Sequence, residues 1–328
     1  MTTPLKPTGF LLHPASPLHD PGWGHPEHQG RLRALSSAIS KDMLALHEKV
    51  AQLEARSATE EELLRVHSQE HLDRIRQVVD QAMVEERSVP IDSDTLVSEA
   101  SWDAAVGSSG AVLAAVDAID QGFVRNAFVA TRPPGHHATR DRVMGFCLVN
   151  HVAVAARYVQ AEKIGERVLI VDWDVHHGNG TQDIFYEAED VFYLSLHLYP
   201  HFPGTGSAEE EGAGAGKGTT FNVPLPHGTS REAYVDRFRV ALESVASRFS
   251  PDFVFISSGF DVLAGDPLGG LELEPEDLFH LTRDVLALAD VTAHGRVLGL
   301  LEGGYVPGRV GAGTVSVLRA LAGLESSG

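Results

Sequence analysis

Residues 168–180 read VLIVDWDVHHGNG. Four apolar residues, three of them β-branched, run straight into a string of Asp, His and Gly. A continuous apolar run of this kind suits a strand of a parallel sheet covered on both faces. If strand geometry continues even briefly, residues two apart project to one side. Asp172, Asp174 and His176 then point the same way. Carboxylates and neutral imidazoles are good ligands for first-row metals. A buried, hydrogen-bonded Asp–His cluster fits the same residues, so this stretch alone leaves both readings open.

Four further apolar runs repeat the pattern. Ala127–Thr131 (AFVAT) leads into RPPGHHA, Val191–Leu196 (VFYLSL) into HLYPHFPGTG, Phe253–Ser257 (FVFIS) into SGFDVLAGDP, and Val297–Leu301 (VLGLL) into EGGY. Helical segments are expected between and around them at 27–40, 68–87, 98–121, 150–161, 230–248 and 274–293. Ser230 and Glu274-Pro275 suit helix starts. The alternation predicts an α/β fold with a mostly parallel central sheet and helices on both faces. In open α/β sheets the ligand site lies beyond the carboxyl ends of the strands. The five polar loops are therefore expected to converge. Residues 209–218 (EEEGAGAGKG) read as a flexible surface loop and not as a linker.

Across the loops, Asp261 follows its strand as Asp174 follows its own. Two carboxylates meeting in a cleft repel unless a cation separates them. With His176 they make three protein ligands and leave a fourth position open, as a catalytic metal site does. A loop-capping Asp261 is the plainer alternative. His136-His137 can carry protons for a metal-bound water and a departing amine. Tyr305, after two glycines, can hydrogen-bond an oxyanion. Taken alone, a surface His pair and an ordinary turn are the plainer readings of those two motifs.

Composition sets the limits. The chain has 328 residues, 26 Lys+Arg against 45 Asp+Glu for a net charge of 26 − 45 = −19, 17 His and one Cys. The length can bury a large core. Cys147 alone excludes internal disulfides and multi-cysteine zinc sites, and it reads as a buried core thiol. The acidic balance argues against nucleic-acid binding. No apolar run approaches the roughly 20 residues that span a bilayer. The stretch MTTPLKPTGFLLHPASPL lacks the pattern of a signal peptide, and a cytoplasmic location is expected.

GHPEHQGRL (24–32), RPPGHHA, GFCLVNHVAVAA (145–156), DWDVHHGNGTQDIFY (172–186), YPHFPGTG, SSGFDVLAGDPLGG (257–270) and LEGGY (301–305) occur in the order of the zinc-dependent histone deacetylase superfamily, which the chain resembles from Gly24 to Tyr305. That superfamily also contains acetylpolyamine amidohydrolases and acetoin-utilisation proteins. The resemblance implies one catalytic domain over residues 1–328 with the arginase/deacetylase-like fold. It implies one Zn²⁺ on Asp174, His176 and Asp261, with His136, His137 and Tyr305 catalytic. Asp172, Asp174, His176, Ser195 and Leu196 match a structural monovalent cation site, for K⁺. Gly145, Phe146, Phe202 and Leu268 match the walls and mouth of a tunnel for an acyl-lysine stem. Asp94 matches a rim aspartate, a turn Asp being the alternative. Arg31 matches a residue beside the acetate cavity, a surface helix Arg being the alternative. Trp23 either shapes the entrance or packs a loop.

Two features separate this chain from parts of that superfamily. Asn179 stands where some members pair an Asp with the second histidine, which resembles the class II branch and its bacterial relatives. A neutral amide stabilises imidazolium less than a carboxylate does, so His137 is expected to be less basic than His136, which can pair with Asp172. Leu268 stands near the place of an acidic gatekeeper in polyamine-specific relatives, which favours acyl-lysine proteins or peptides over small acylated amines. A dimanganese arginase-like hydrolase would need more carboxylate ligands, and a non-catalytic acyl-lysine binder would not need Tyr305. The oligomeric state is unreadable, so an oligomer stays open. His177, His197 and His201 receive no role.

Overall fold

The computed structural model describes residues 6–327, so part of the N-terminal leader reading, residues 1–5, lies outside the described residues, as does residue 328. Among the described residues there are ten strands: β1 (Thr8–Leu11), β2 (Val50–Gln52), β3 (Val89–Pro90), β4 (Leu96–Val97), β5 (Asn126–Val129), β6 (Val168–Asp172), β7 (Val191–Leu198), β8 (Thr220–Leu225), β9 (Phe253–Ser258) and β10 (Val297–Leu301). Ten α-helices accompany them: α1 (Gly30–Lys41), α2 (Met43–Leu46), α3 (Glu60–Leu64), α4 (Gln69–Glu85), α5 (Ser101–Asp120), α6 (His151–Ala161), α7 (Asn179–Phe185), α8 (Arg231–Ala246), α9 (Pro275–Thr292) and α10 (Pro307–Leu321).

Eight strands form one sheet in the order β2-β1-β5-β10-β9-β6-β7-β8, and every pairing in it is parallel. The five apolar runs legible in the sequence are its five contiguous central strands, β5-β10-β9-β6-β7. They are apolar on both faces because both faces are covered. Val168 and Ile170 of β6 join the core under α4, α5 and α6. Leu169 and Val171 join the opposite core, under α1, α8, α9 and α10. Each such side chain removed from water contributes about 1.5–3 kcal/mol before the entropic costs. The edges carry the strands that the pattern did not reveal, β1, β2 and β8, and the helix α10 was likewise unread. β3 and β4 form a separate antiparallel pair.

The helix starts follow from capping. The Ser230 hydroxyl accepts the Ala233 N–H at 3.2 Å, and Glu274 with Asp277 closes a reciprocal cap around Pro275. The 209–218 segment is held rather than free, which corrects the expectation of a flexible loop. The Glu210 carboxylate accepts the Gly206 and Ser207 N–H groups, and the Ala213 N–H bonds the Tyr186 carbonyl. Among the described residues no helix is long and apolar enough to cross a membrane.

One buried contact is expected to add to the acid sensitivity of the fold. Asn150 caps α6 through Ala153, and its own N–H donates to His67 Nε2 at 2.9 Å. Burial, and then the neighbouring His71, push His67 down to about 3. An unfolded imidazole titrates near 6.5, so between about 3 and 6.5 the unfolded state holds a proton that the native state refuses. This group leaves stability untouched above about pH 6.5 and removes up to about 1.4 kcal/mol per unit as pH falls below it. Urea midpoints measured against pH should show a shallower acid slope for His67→Gln, whose amide oxygen can still accept the Asn150 N–H. An unchanged slope would assign the acid sensitivity elsewhere.

Candidate active site

β6 ends at Asp172, and the alternation persists past its end. Trp173 and Val175 enter the apolar core on one side. Asp172, Asp174 and His176 take the other side, as the sequence pattern predicts. Asp172 Oδ2 sits 3.1 Å from His136 Nδ1 and accepts the Tyr193 hydroxyl at 3.0 Å, while its Oδ1 accepts the Asp174 N–H. Burial alone lowers the basicity of His136, but Asp174 and Asp172 outweigh it and raise the group to about 10. His137 behaves oppositely. Its Nδ1–H meets the Asn179 amide oxygen at 2.8 Å, and burial plus the neighbouring His136 and His176 charges hold it well below its ordinary value. His137 is thus the less basic of the pair, but burial and the neighbouring imidazoles set that order, and the Asn179 hydrogen bond itself raises His137.

Asp174, His176 and Asp261 are fully or almost fully buried, and their ligand atoms lie within 4.8 Å of one another. His176 Nδ1 stands 3.0 Å from Asp174 Oδ1 and 3.3 Å from Asp261 Oδ2. Burial, followed by the Asp174 charge, pushes Asp261 up to about 7, and its Oδ2 has no hydrogen-bond partner. An orphaned carboxylate oxygen beside a second carboxylate asks for a cation between them. Backbone groups hold the cradle open. The Gly303 N–H donates to Asp174 Oδ2 at 2.8 Å and the Val175 N–H to Asp261 Oδ1 at 3.0 Å. A Cβ at residue 303 would stand 2.0 Å from Asp261 Oδ2, so only glycine fits there. The donor set, its burial and its spacing fit a metal ion.

A cavity of about 350 Å³ opens onto this group. Its lining brings together Asp94, His137, Gly145, Phe146, His176, Phe202, Leu268 and Tyr305, eight of the residues singled out in the sequence. His201, which received no role, lines it too and stacks on His176 at 5.1 Å. Phe202 stands edge-on to His137 at 5.2 Å and Phe146 edge-on to Tyr305 at 5.8 Å. Phe146 has φ 68°, a left-handed conformation costly for a bulky residue and typical of constrained sites. Gly145 before it also has positive φ, and it passes so close to the His137 ring that a side chain would collide. Tyr305 keeps its proton because burial, then the Asp261 charge, raise it well above the usual phenol value.

The remaining residues resolve as follows. Asp94 lies at the cavity and also ties the local turn, Oδ1 accepting the Gly145 N–H at 3.2 Å and the Thr95 hydroxyl at 2.9 Å. Arg31 is fully buried, which removes the surface-arginine alternative. Its Nε donates to the Gly304 carbonyl at 2.6 Å and its Nη2 to that of Glu302 at 2.5 Å, and its guanidinium lies 5.2 Å from the centre of the Tyr305 ring. Ser195 pairs with Asp172 across β6 and β7, its hydroxyl turned to His197, and Leu196 follows it on β7. Trp23 is fully exposed, so it packs no loop. Cys147 is buried and its thiol is pushed up by that burial.

Sequence reasoning missed a buried ionic network behind the site. Glu27 Oε1 accepts from Arg31 Nη1 and Arg132 Nε, each at 2.8 Å, and all three side chains are fully buried. Burial opposes ionisation of Glu27, but Arg132, His19 and Arg31 together hold it far below the carboxylate range. The i,i+4 spacing of Glu27 and Arg31 was the one available signal.

A family model described as "Histone deacetylase domain" matches residues 25–321. The chain is 34% identical over 321 residues to a "Probable deacetylase" of Archaeoglobus fulgidus, covering 98% of this chain and 88% of that one. It is 36% identical to a "Histone deacetylase-like amidohydrolase" of Pseudomonas aeruginosa, covering 93% and 78%. It is 40% identical to "Histone deacetylase 15" of Arabidopsis thaliana, covering 91% of this chain and 53% of that longer protein. The crystal structure of the HDA15 HD domain superposes with a TM-score of 0.90 at 36% identity, covering 98% and 90%.

Proposed function

The chain belongs to the histone deacetylase family, and from that premise we propose that it hydrolyses the amide of Nε-acyl-lysine in proteins or peptides, with one Zn²⁺ held by Asp174, His176 and Asp261. The observation that carries this reading is the burial of that trio beside a narrow, aromatic-walled cavity that His137 and Tyr305 also line. Two carboxylates and an imidazole suit zinc and leave coordination positions open. When bound, the ion supplies Lewis acidity toward the scissile carbonyl and the attacking water.

The chain's own residues supply the rest. His137, kept neutral by burial and by the His136 charge, takes the proton of the attacking water and returns it to the amine nitrogen as the C–N bond breaks. His136 stays charged against Asp172 and favours the developing oxyanion. The Tyr305 hydroxyl donates a hydrogen bond to that oxyanion. Phe146 and Phe202 flank the lysine stem, Gly145 keeps the wall thin, and Asp94 holds the substrate backbone at the rim. Arg31 braces the Tyr305 segment. A structural K⁺ belongs at Asp172, Asp174, His176, Ser195 and Leu196. Leu268 offers nothing to a second ammonium, which favours acyl-lysine over acylated polyamines. We read residues 1–328 as one catalytic domain, and the single buried Cys147 suits the reducing cytoplasm.

Matched kinetics on an acetyl-lysine peptide and on acetylputrescine test the substrate. The peptide should be preferred by at least about 10-fold in kcat/KM, roughly 1.4 kcal/mol. Elemental analysis should return one zinc and one potassium per chain, and chelation should abolish turnover until zinc is restored. Preference for acetylputrescine would replace the substrate while keeping the chemistry. Turnover that survives removal of all metal would overturn the chemistry itself.

A further inference from the structure

Glu302 is almost fully buried one residue beyond β10, yet it neither lines the cavity nor belongs to the metal-capable trio. Its Oε2 accepts the Gly135 N–H at 2.7 Å and the His136 N–H at 3.1 Å. Its Oε1 accepts the Ser257 hydroxyl at 3.1 Å. Its backbone N–H donates to the Ser258 carbonyl at 3.0 Å, and its carbonyl receives Arg31. One side chain on the loop that leaves β10 thus reaches the loop that leaves β5 and the end of β9. The loops beyond these three strands carry His136 and His137, Asp261, and Tyr305.

Consecutive backbone N–H groups captured by one carboxylate oxygen fix both the position and the tilt of the peptide between them. That peptide is the one from which the His136 ring departs, and His137 follows directly. Because Glu302 lies three residues before Tyr305, the same residue sets the spacing between the histidine pair and the phenol. Among the described residues nothing else accepts the Gly135 and His136 N–H groups. A buried N–H left without an acceptor is unfavourable, and the loop would relieve it by moving toward other acceptors.

We propose that Glu302 is a positioning residue that registers His136 and His137 against Tyr305 by clamping the Gly135 and His136 amides. The proposal rests on the reading of that pair as the proton carriers. Glutamine at 302 can keep most of the clamp, with its amide oxygen toward residues 135 and 136 and its NH₂ toward the Ser257 oxygen. Alanine cannot. Partners that orient reacting groups from behind are typically worth about 10- to 100-fold.

The test compares E302A, E302Q and His137→Asn on the acetyl-lysine peptide, with zinc content measured for each. E302A should lose about 10- to 100-fold in kcat with KM and zinc content near native. E302Q should recover most of that loss, and its histidine imidazole proton resonances should move while zinc content stays native. If E302A does not fold, E302Q decides alone. In E302Q, shifted His136 or His137 resonances with most of kcat retained support the clamp, and native resonances, or a loss as large as that of E302A, overturn it. Equal losses in E302A and E302Q accompanied by loss of zinc also overturn it. Native turnover in His137→Asn would instead overturn the underlying assignment of the proton carrier.

Discussion

Tyr305→Phe should fold, bind zinc as the native chain does, and lose about 10²–10³ in kcat on an acetyl-lysine peptide. The ring needs no hydroxyl to find its place. Its backbone N–H donates to Asp266 Oδ2 at 2.6 Å, the Arg31 guanidinium lies 5.2 Å from the ring centre, and Phe146 packs edge-on against it. The substitution therefore removes one O–H and little else. Because burial keeps the phenol protonated far above neutral pH, that O–H is a donor throughout the working range. A donor aimed at charge that develops only in the transition state lowers kcat more than it changes KM when it is lost. The measurement is kcat and KM alongside zinc content. Near-native turnover would remove Tyr305 from the chemistry.

The same economy governs the site's rigidity. Its reacting groups come from the ends of separate parallel strands, and no local sequence element spans them. What spans them is a set of buried carboxylates that each accept from a neighbouring loop. Asp174 receives Gly303, Asp261 receives Val175, and Glu302 receives Gly135 and His136. These links hold together loops whose residues are more than 80 positions apart. At Asp174 and Asp261, the carboxylates that could bind a metal thus also hold the loops together.

This explains what the sequence revealed and what it hid. The five central strands were legible because burial on both faces makes every residue apolar, as in Val168–Val171, and the polar residues then mark the strand ends. Of the cavity residues, His137, His176 and Tyr305 stood out at strand ends, whereas Asp94, Gly145, Phe146, Phe202 and Leu268 were named only through the resemblance to the family. β8 was hidden because Asn222 and Pro224 interrupt its pattern, as an edge strand permits. β1 and β2 are too short to show a period. The glycines of α10 (PGRVGAGTVSVL) resemble a loop, although Pro307 suits a first helical position. Glu27, Arg132 and Glu302 were hidden for a deeper reason. A charged residue on a helix or after a strand looks solvent-facing, and only contacts more than 100 positions away, such as Arg132 to Glu27, bury it. Arg31 was open to both readings until its partners were seen.

Arg132→Met is the substitution with the largest expected effect on stability, about 3–5 kcal/mol. Arg132 donates from Nη1 to the Ser16 and His19 carbonyls, from Nη2 to the Glu27 carbonyl, and from Nε to Glu27 Oε1, at 2.8–3.0 Å. Methionine fills much of the volume but leaves three buried carbonyls without a donor and halves the positive charge facing Glu27. The loss falls on the contact between the Ser16–Glu27 segment and the loop carrying His136, so turnover should fall with stability. Urea unfolding with an unchanged m-value measures the effect. The physical cause can be separated from simple loss of packing by adding Glu27→Gln. Removing a buried charge whose partner has gone costs less than removing it from the intact pair, so the double variant should be more stable than the sum of the two single losses by about 1 kcal/mol or more. Additive losses, or a loss under about 1 kcal/mol for Arg132→Met alone, would mean that the N-terminal segment is held by packing and not by this charge.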